Sequence, residues 1–92
     1  MILSFKDKRT RQIWEGQALR LDAALQRKAQ LKLRYLHLAH EVSDLQTPPG
    51  NRLEKLGGDR SGQYSIRVNQ QYRVCFRWTP NGAEDVEFVD YH

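Results

Sequence analysis

Cysteine is nearly absent: Cys75 stands alone in 92 residues. No disulfide can close within the chain, which suits a reducing compartment. Three prolines and six glycines are too few for a collagenous or low-complexity segment. No apolar run approaches the roughly 20 residues of a membrane helix. The opening Met1-Ile2-Leu3-Ser4-Phe5 meets charge at Lys6-Asp7-Lys8, too soon for a signal-peptide core. The expected location is therefore the cytoplasm, with no membrane partner. Catalytic motifs are also scarce. There is no Cys-x-x-Cys, no nucleophile elbow and no phosphate-cradling glycine loop ahead of a helix. His37 and His40 are three apart without a carboxylate or cysteine cluster beside them, so no metal site and no cofactor are expected.

What the chain does carry is positive charge. Lys and Arg number 15 against 11 Asp and Glu, for a net charge of +4 and an isoelectric point near 9.5. That balance is compatible with nucleic-acid binding and does not require it. The length predicts one domain over 1–92, with a small core built from one pair of layers.

Hydrophobic spacing supplies the elements. Ile2 to Phe5 reads as a short strand. Asp7 caps a helix running to about Glu15, ended by Gly16. From about Leu21 to Glu41 the period is helical. Leu25, Ala29, Leu33, Leu36 and His40 share one face; Leu31, Tyr35, Leu38 and Val42 lie beside it and widen the apolar stripe. Gln26, Arg27, Lys28, Lys32 and Arg34 fill much of the remaining, solvated face. Val42 to Gln46 adds one helical turn, and Thr47-Pro48-Pro49-Gly50-Asn51 breaks the chain. Beyond Arg52 the period becomes two. A strand around Leu53–Leu56, a loop at Gly57–Gly62, a strand from Gln63 to Val68, a turn at Asn69-Gln70 and a strand carrying Tyr72, Val74, Phe76 and Trp78 follow. A turn at Thr79–Gly82 leads to a last strand from Glu84 to about Tyr91. Helices before strands predict an α+β fold, two N-terminal helices packed on a small twisted antiparallel sheet.

Alternation assigns the sheet faces. With Tyr64, Ile66, Val68, Val74 and Phe76 toward the helices, Ser65, Arg67, Arg73, Cys75 and Arg77 point away, and Arg60 lies in the loop feeding the same sheet. Guanidinium groups bind phosphate through two parallel hydrogen bonds, so this face reads as a phosphate-binding patch. It reads equally as cross-strand ion pairing with Asp85 and Glu87. The chain closes on Asp90-Tyr91-His92, three groups able to move or hold protons or simply a polar terminus. Strict alternation puts Tyr91 with the arginines and Asp90 and His92 opposite. Cys75 reads as a small buried filler.

Several segments together resemble the HigB toxins of the RelE/ParE superfamily. They are Ser4-Phe5-Lys6, Pro48-Pro49-Gly50-Asn51-Arg52-Leu53, Gly58-Asp59-Arg60, Gly62 to Asn69, Tyr72-Arg73-Val74-Cys75-Phe76 and Asp90-Tyr91-His92. The likeness spans nearly the whole chain and is dense from Pro48 to His92. It implies the same α+β fold and the toxin of a type II toxin–antitoxin system, an endoribonuclease that cuts mRNA on the ribosome and stops translation. By resemblance, Arg73 stabilises the phosphate in the transition state and Asp90, Tyr91 and His92 form the catalytic end. Arg60, Arg67, Arg77, Lys55 and Glu54 are the further candidates for RNA and phosphate contact. One HigB pattern carries a His and a Lys where this chain has Glu54 and Gly57, so those two roles do not transfer. Glu54, Lys55 or Arg60 is the expected substitute. The implied partners are a helix-turn-helix antitoxin similar to HigA, the ribosome with its mRNA, and operator DNA reached through the antitoxin. Two other readings stay open: a ParE-like poison of DNA gyrase and a non-catalytic nucleic-acid-binding module.

Overall fold

Helix capping begins where the sequence predicts it. In the computed structural model, which describes residues 1–91, Asp7 Oδ1 accepts from Thr10 N at 2.9 Å and starts α1, Lys8–Trp14. Asp22 Oδ2 accepts from Leu25 N at 3.0 Å and starts α2, Ala23–Leu38. Each carboxylate satisfies an amide that the first helical turn leaves open. Two 3-10 helices follow, Val42–Gln46 and Pro49–Asn51. The strands are β1, Glu54–Lys55; β2, Tyr64–Arg67; β3, Tyr72–Thr79; and β4, Gly82–Asp90. They form one antiparallel sheet in the order β1-β2-β3-β4. A third 3-10 helix, Gly58–Arg60, lies between β1 and β2.

Both helices lie on one face of the sheet. Ile13, Ala29, Leu33 and Leu36 interleave with Ile66, Val74, Phe76, Val86 and Phe88, all fully buried. Tyr72 stacks on Phe88 with centroids 4.6 Å apart. A polar bond fixes the layers: buried Thr10 Oγ1 accepts from Phe88 N at 2.9 Å. Asn69 Oδ1 closes the β2–β3 turn by accepting from Gln71 N and Tyr72 N at 2.8 and 2.7 Å. Among the described residues, no helix is long and apolar enough to cross a membrane.

Four details differ from expectation. Ile2 to Phe5 is no regular strand; it makes two isolated parallel bridges, Ile2 to Ala83 and Phe5 to Val86. The register shift between Cys75 and Arg77, with Asp85 at φ 52°, kinks β4, so its outer edge cannot offer an unbroken ladder. The segment still covers that edge, and Gly82 allows it: a Cβ there would run into the Met1 carbonyl oxygen. Second, α2 ends at Leu38, and His40 is exposed rather than core. Third, Leu31 and Leu38 are 45% and 65% exposed. At 3.6 residues per turn they sit about half a turn round the helix from Ala29 and Leu36, not beside them. Fourth, Lys32 is buried. Three residues after Ala29 and four before Leu36, it belongs on the core face.

Candidate functional site

Strand register brings the chemistry to the sheet face turned away from the helices. Glu54 pairs with Ser65, Ser65 with Cys75, and Cys75 with Glu87, one row across four strands. The next row sets Arg67 opposite Arg73, and Arg73 opposite Val89. Ser65 and Cys75 are nonetheless fully buried, roofed by the side chains around them. Burial pushes the Cys75 thiol up from its ordinary value, so it stays a protonated filler rather than a nucleophile.

Arg73 is the most constrained of the cations. One terminal nitrogen donates to the Arg52 carbonyl at 2.6 Å. The other lies 3.4 Å from Glu54 Oε2. Its guanidinium sits over the Tyr91 ring, 5.8 Å from the centroid. Its Nε is buried with no hydrogen-bond partner among the described residues. Only 14% of the Arg73 side chain is exposed, against 56% of Glu54. The site thus holds a fixed cation beside an accessible carboxylate.

The Arg52 carbonyl is aimed by its own backbone, which turns left-handed at φ 44°. Asn51, fully buried, anchors that turn. Its Nδ2 donates to the Leu45 and Thr47 carbonyls at 3.2 and 3.3 Å, and its Oδ1 accepts from Lys32 Nζ at 2.6 Å. Burial, with Lys28 and Arg67 nearby, holds the Lys32 ammonium below its usual range. Sequence reading missed Lys32, Asn51 and Arg52 as supports for Arg73. The helical position of Lys32 is the available signal; Asn51 and Arg52 stand in the Pro48–Leu53 segment that carries the family resemblance, but nothing local gives them a supporting role.

The remaining candidates disperse around this centre. Arg60 donates to Gln63 Oε1 at 3.1 Å and pairs with Glu87 at 3.2 Å; Lys6 approaches the same carboxylate at 3.8 Å. Arg77 lies 3.9 Å from Asp85 and packs where a Cβ on Gly62 would be. Arg67 has no ion pair among the described residues. Lys55 pairs with Tyr64, which puts it on the helix-side face, apart from the arginines. Tyr91 joins Arg73 as alternation predicts. Asp90 is opposite Tyr72, and its Oδ2 accepts from Gln71 Nε2 at 2.9 Å. His92, the last catalytic candidate, lies outside the described residues.

Comparison with known proteins agrees over the full length. The family model described as the RelE-like toxin of type II toxin–antitoxin system HigB matches residues 3–92. Toxin HigB-1 of Vibrio cholerae serotype O1 is 39% identical over 94 aligned positions, covering all of this chain and 98% of that protein. An uncharacterised Haemophilus influenzae protein is 36% identical over 61 positions, 66% of this chain and 59% of its own length. Among solved structures, a chain of the YoeB–YefM complex from Staphylococcus aureus superposes with a TM-score of 0.65, over 100% of this chain and 98% of that one. Its identity is 15%, so it speaks for the fold.

Proposed function

This chain belongs to the RelE-like HigB toxins of type II toxin–antitoxin systems, a class of ribosome-dependent mRNA endoribonucleases, and we propose how its own residues make the cut. The whole chain acts as one toxin domain in the cytoplasm. Arg73 takes the scissile phosphate. The ribose 2′-oxygen attacks the adjacent phosphorus, the bond to the 5′ oxygen breaks, and a cyclic phosphate and a free 5′ hydroxyl result. Glu54 receives the 2′ proton and His92 gives one to the departing 5′ oxygen. Negative charge grows on the phosphoryl oxygens in between, where a cation already in place needs no reorganisation. Tyr91 and Asp90 shape the end of the site, and Arg60, Arg67 and Arg77 hold flanking phosphates.

The observation that carries this reading is the pair Arg67 and Arg73, set directly opposite on one face. Like charges so placed repel, and an anion between them removes the repulsion. Glu54 stands where a HigB pattern has His, and its exposure beside Arg73 supports its role as base. The mechanism gives charge stabilisation to guanidinium groups and asks for no metal held by the toxin. The ribosome supplies alignment of the strand, and the antitoxin carries the toxin to operator DNA.

The test is primer extension on a translated mRNA, with and without ribosomes, for wild type, Arg73→Ala, Glu54→Ala and His92→Gln. Ribosome-dependent cuts that disappear in the Arg73 and His92 variants are expected. Full activity in Glu54→Ala at unchanged stability removes Glu54 as base. Absence of cuts by wild type, with growth still arrested, redirects the work to gyrase supercoiling.

A further inference from the structure

The outer face of α2 is a surface built like half of a coiled coil. Ala24, Leu31 and Leu38 recur every seven residues, and Arg27 and Arg34 repeat at the same interval, three residues after Ala24 and Leu31. Seven-residue spacing keeps such a row on one side of a helix and in register with a partner helix. All of these residues are exposed. Leu31 and Leu38 are among the few large apolar side chains that the fold leaves in solvent. A shallow groove lined by Arg27, Gln30, Leu31 and Arg34 runs along the row.

Charge identifies the occupant. The sixteen residues of α2 include no Asp or Glu, and among the described residues Arg27, Lys28 and Arg34 have no ion-pair partner. A second copy of this chain would set arginine against arginine. An RNA backbone would satisfy the cations but leave two exposed leucines against phosphate. An acidic helix with apolar residues at the same spacing satisfies both features, cations flanking the seam and leucines within it.

We propose that an acidic amphipathic helix of the antitoxin docks along the Ala24–Leu38 face of α2. The proposal rests on the family reading, which makes an antitoxin the partner of this toxin. The seam points away from the sheet, so it is physically separate from Arg73 and can be altered without touching the candidate nuclease site.

Calorimetric titration of the toxin with its cognate antitoxin tests this, comparing wild type with L31E/L38E, R27E/R34E and R27K/R34K, alongside ribosome-dependent cleavage by antitoxin-free toxin. Far-ultraviolet circular dichroism checks the fold, and these exposed positions tolerate change. Each glutamate pair is expected to raise the dissociation constant about tenfold or more, while R27K/R34K stays near wild type and all variants cleave normally. Unchanged antitoxin affinity in both glutamate pairs overturns the proposal. So does lost cleavage with antitoxin affinity intact, which would make the face an RNA contact. Weakened antitoxin binding in a protein that never cuts mRNA would uphold the docking face and reject the nuclease reading.

Discussion

On the proposed reading, Arg73 is a cation set in place for an anion. Its terminal nitrogens are held by a backbone carbonyl and a half-exposed carboxylate. Arg73→Ala is expected to slow cleavage about 100- to 1000-fold, the usual effect of deleting one donor aimed at a developing oxyanion. Urea unfolding should move by about 1–2 kcal/mol, since the largely buried side chain also gives up packing. Arg73→Lys keeps the charge but loses the planar fork, so its rate should fall between the two. A large loss of stability in Arg73→Ala would make the residue a structural pin instead. Asp44 has the opposite character. Its Oδ2 accepts from His40 N at 2.9 Å and Glu41 N at 3.0 Å, and those amides hold its carboxyl below the ordinary 3.8. A depressed folded pKa means the unfolded chain binds more protons in acid. The contribution is therefore complete above the ordinary value and disappears as pH falls through the folded one. Thermal melts between about pH 5 and pH 2 should show a shallower acid decline for Asp44→Asn than for wild type. Arg73 was legible in the sequence because strand alternation is local and strict. The Arg52 carbonyl that positions it was not, because a left-handed residue at φ 44° is set by the packing of Asn51 and not by the residue type.

At the scale of elements, the sheet was easier to read than the long helix. Period-two alternation divides residues into two faces and leaves no third choice, and the faces of β2 and β3 fell where it placed them. A helix offers a continuous circle, and an apolar stripe drawn too wide takes in residues from the far side. A stripe of that width takes Leu31 and Leu38 into the core, where the structure leaves them exposed. Charge alone points Lys32 to solvent, although its angle places it among Ala29, Leu33 and Leu36. Its burial becomes intelligible once the second 3-10 helix is seen to bring Asn51 against it. Asn51 is the hub: it joins α2 to the Leu45 and Thr47 carbonyls and so fixes the turn below Arg73. Asn51→Ala should lower unfolding free energy by about 1–3 kcal/mol, the cost of stranding buried polar groups. It should also reduce the cleavage rate by loosening Arg52. Lys32→Met should be milder, since it removes a buried charge along with one hydrogen bond. Denaturant midpoints for the two variants check the ranking, and an Asn51→Ala protein as stable as wild type would remove the hub from this account.

Over the whole molecule, the question left open by composition is whether the arginine face exists to bind phosphate or to bind its own carboxylates. The structure shows pairs of both strengths: Arg60 with Glu87 at 3.2 Å, Arg73 with Glu54 at 3.4 Å and Arg77 with Asp85 at 3.9 Å. The Arg77–Asp85 pair, about half exposed on both sides, is worth about 0–1 kcal/mol, less than a charge-assisted bond to a phosphate in a site shaped for it; the other two pairs each have a largely buried partner and are held more firmly. On the proposed reading, RNA displaces the exposed pair most readily, and each carboxylate acts as a competitor that lowers affinity. Asp85→Asn and Glu87→Gln each raise the net charge by one and release a guanidinium. Filter-binding titrations of a short single-stranded RNA at several salt concentrations should show tighter binding by both variants at low salt. The dependence of log affinity on log salt should also steepen as more counterions are released per complex. Thermal stability should change little. If the face is instead a set of structural ion pairs, the same substitutions will lower the melting temperature and leave RNA affinity and its salt slope where they were.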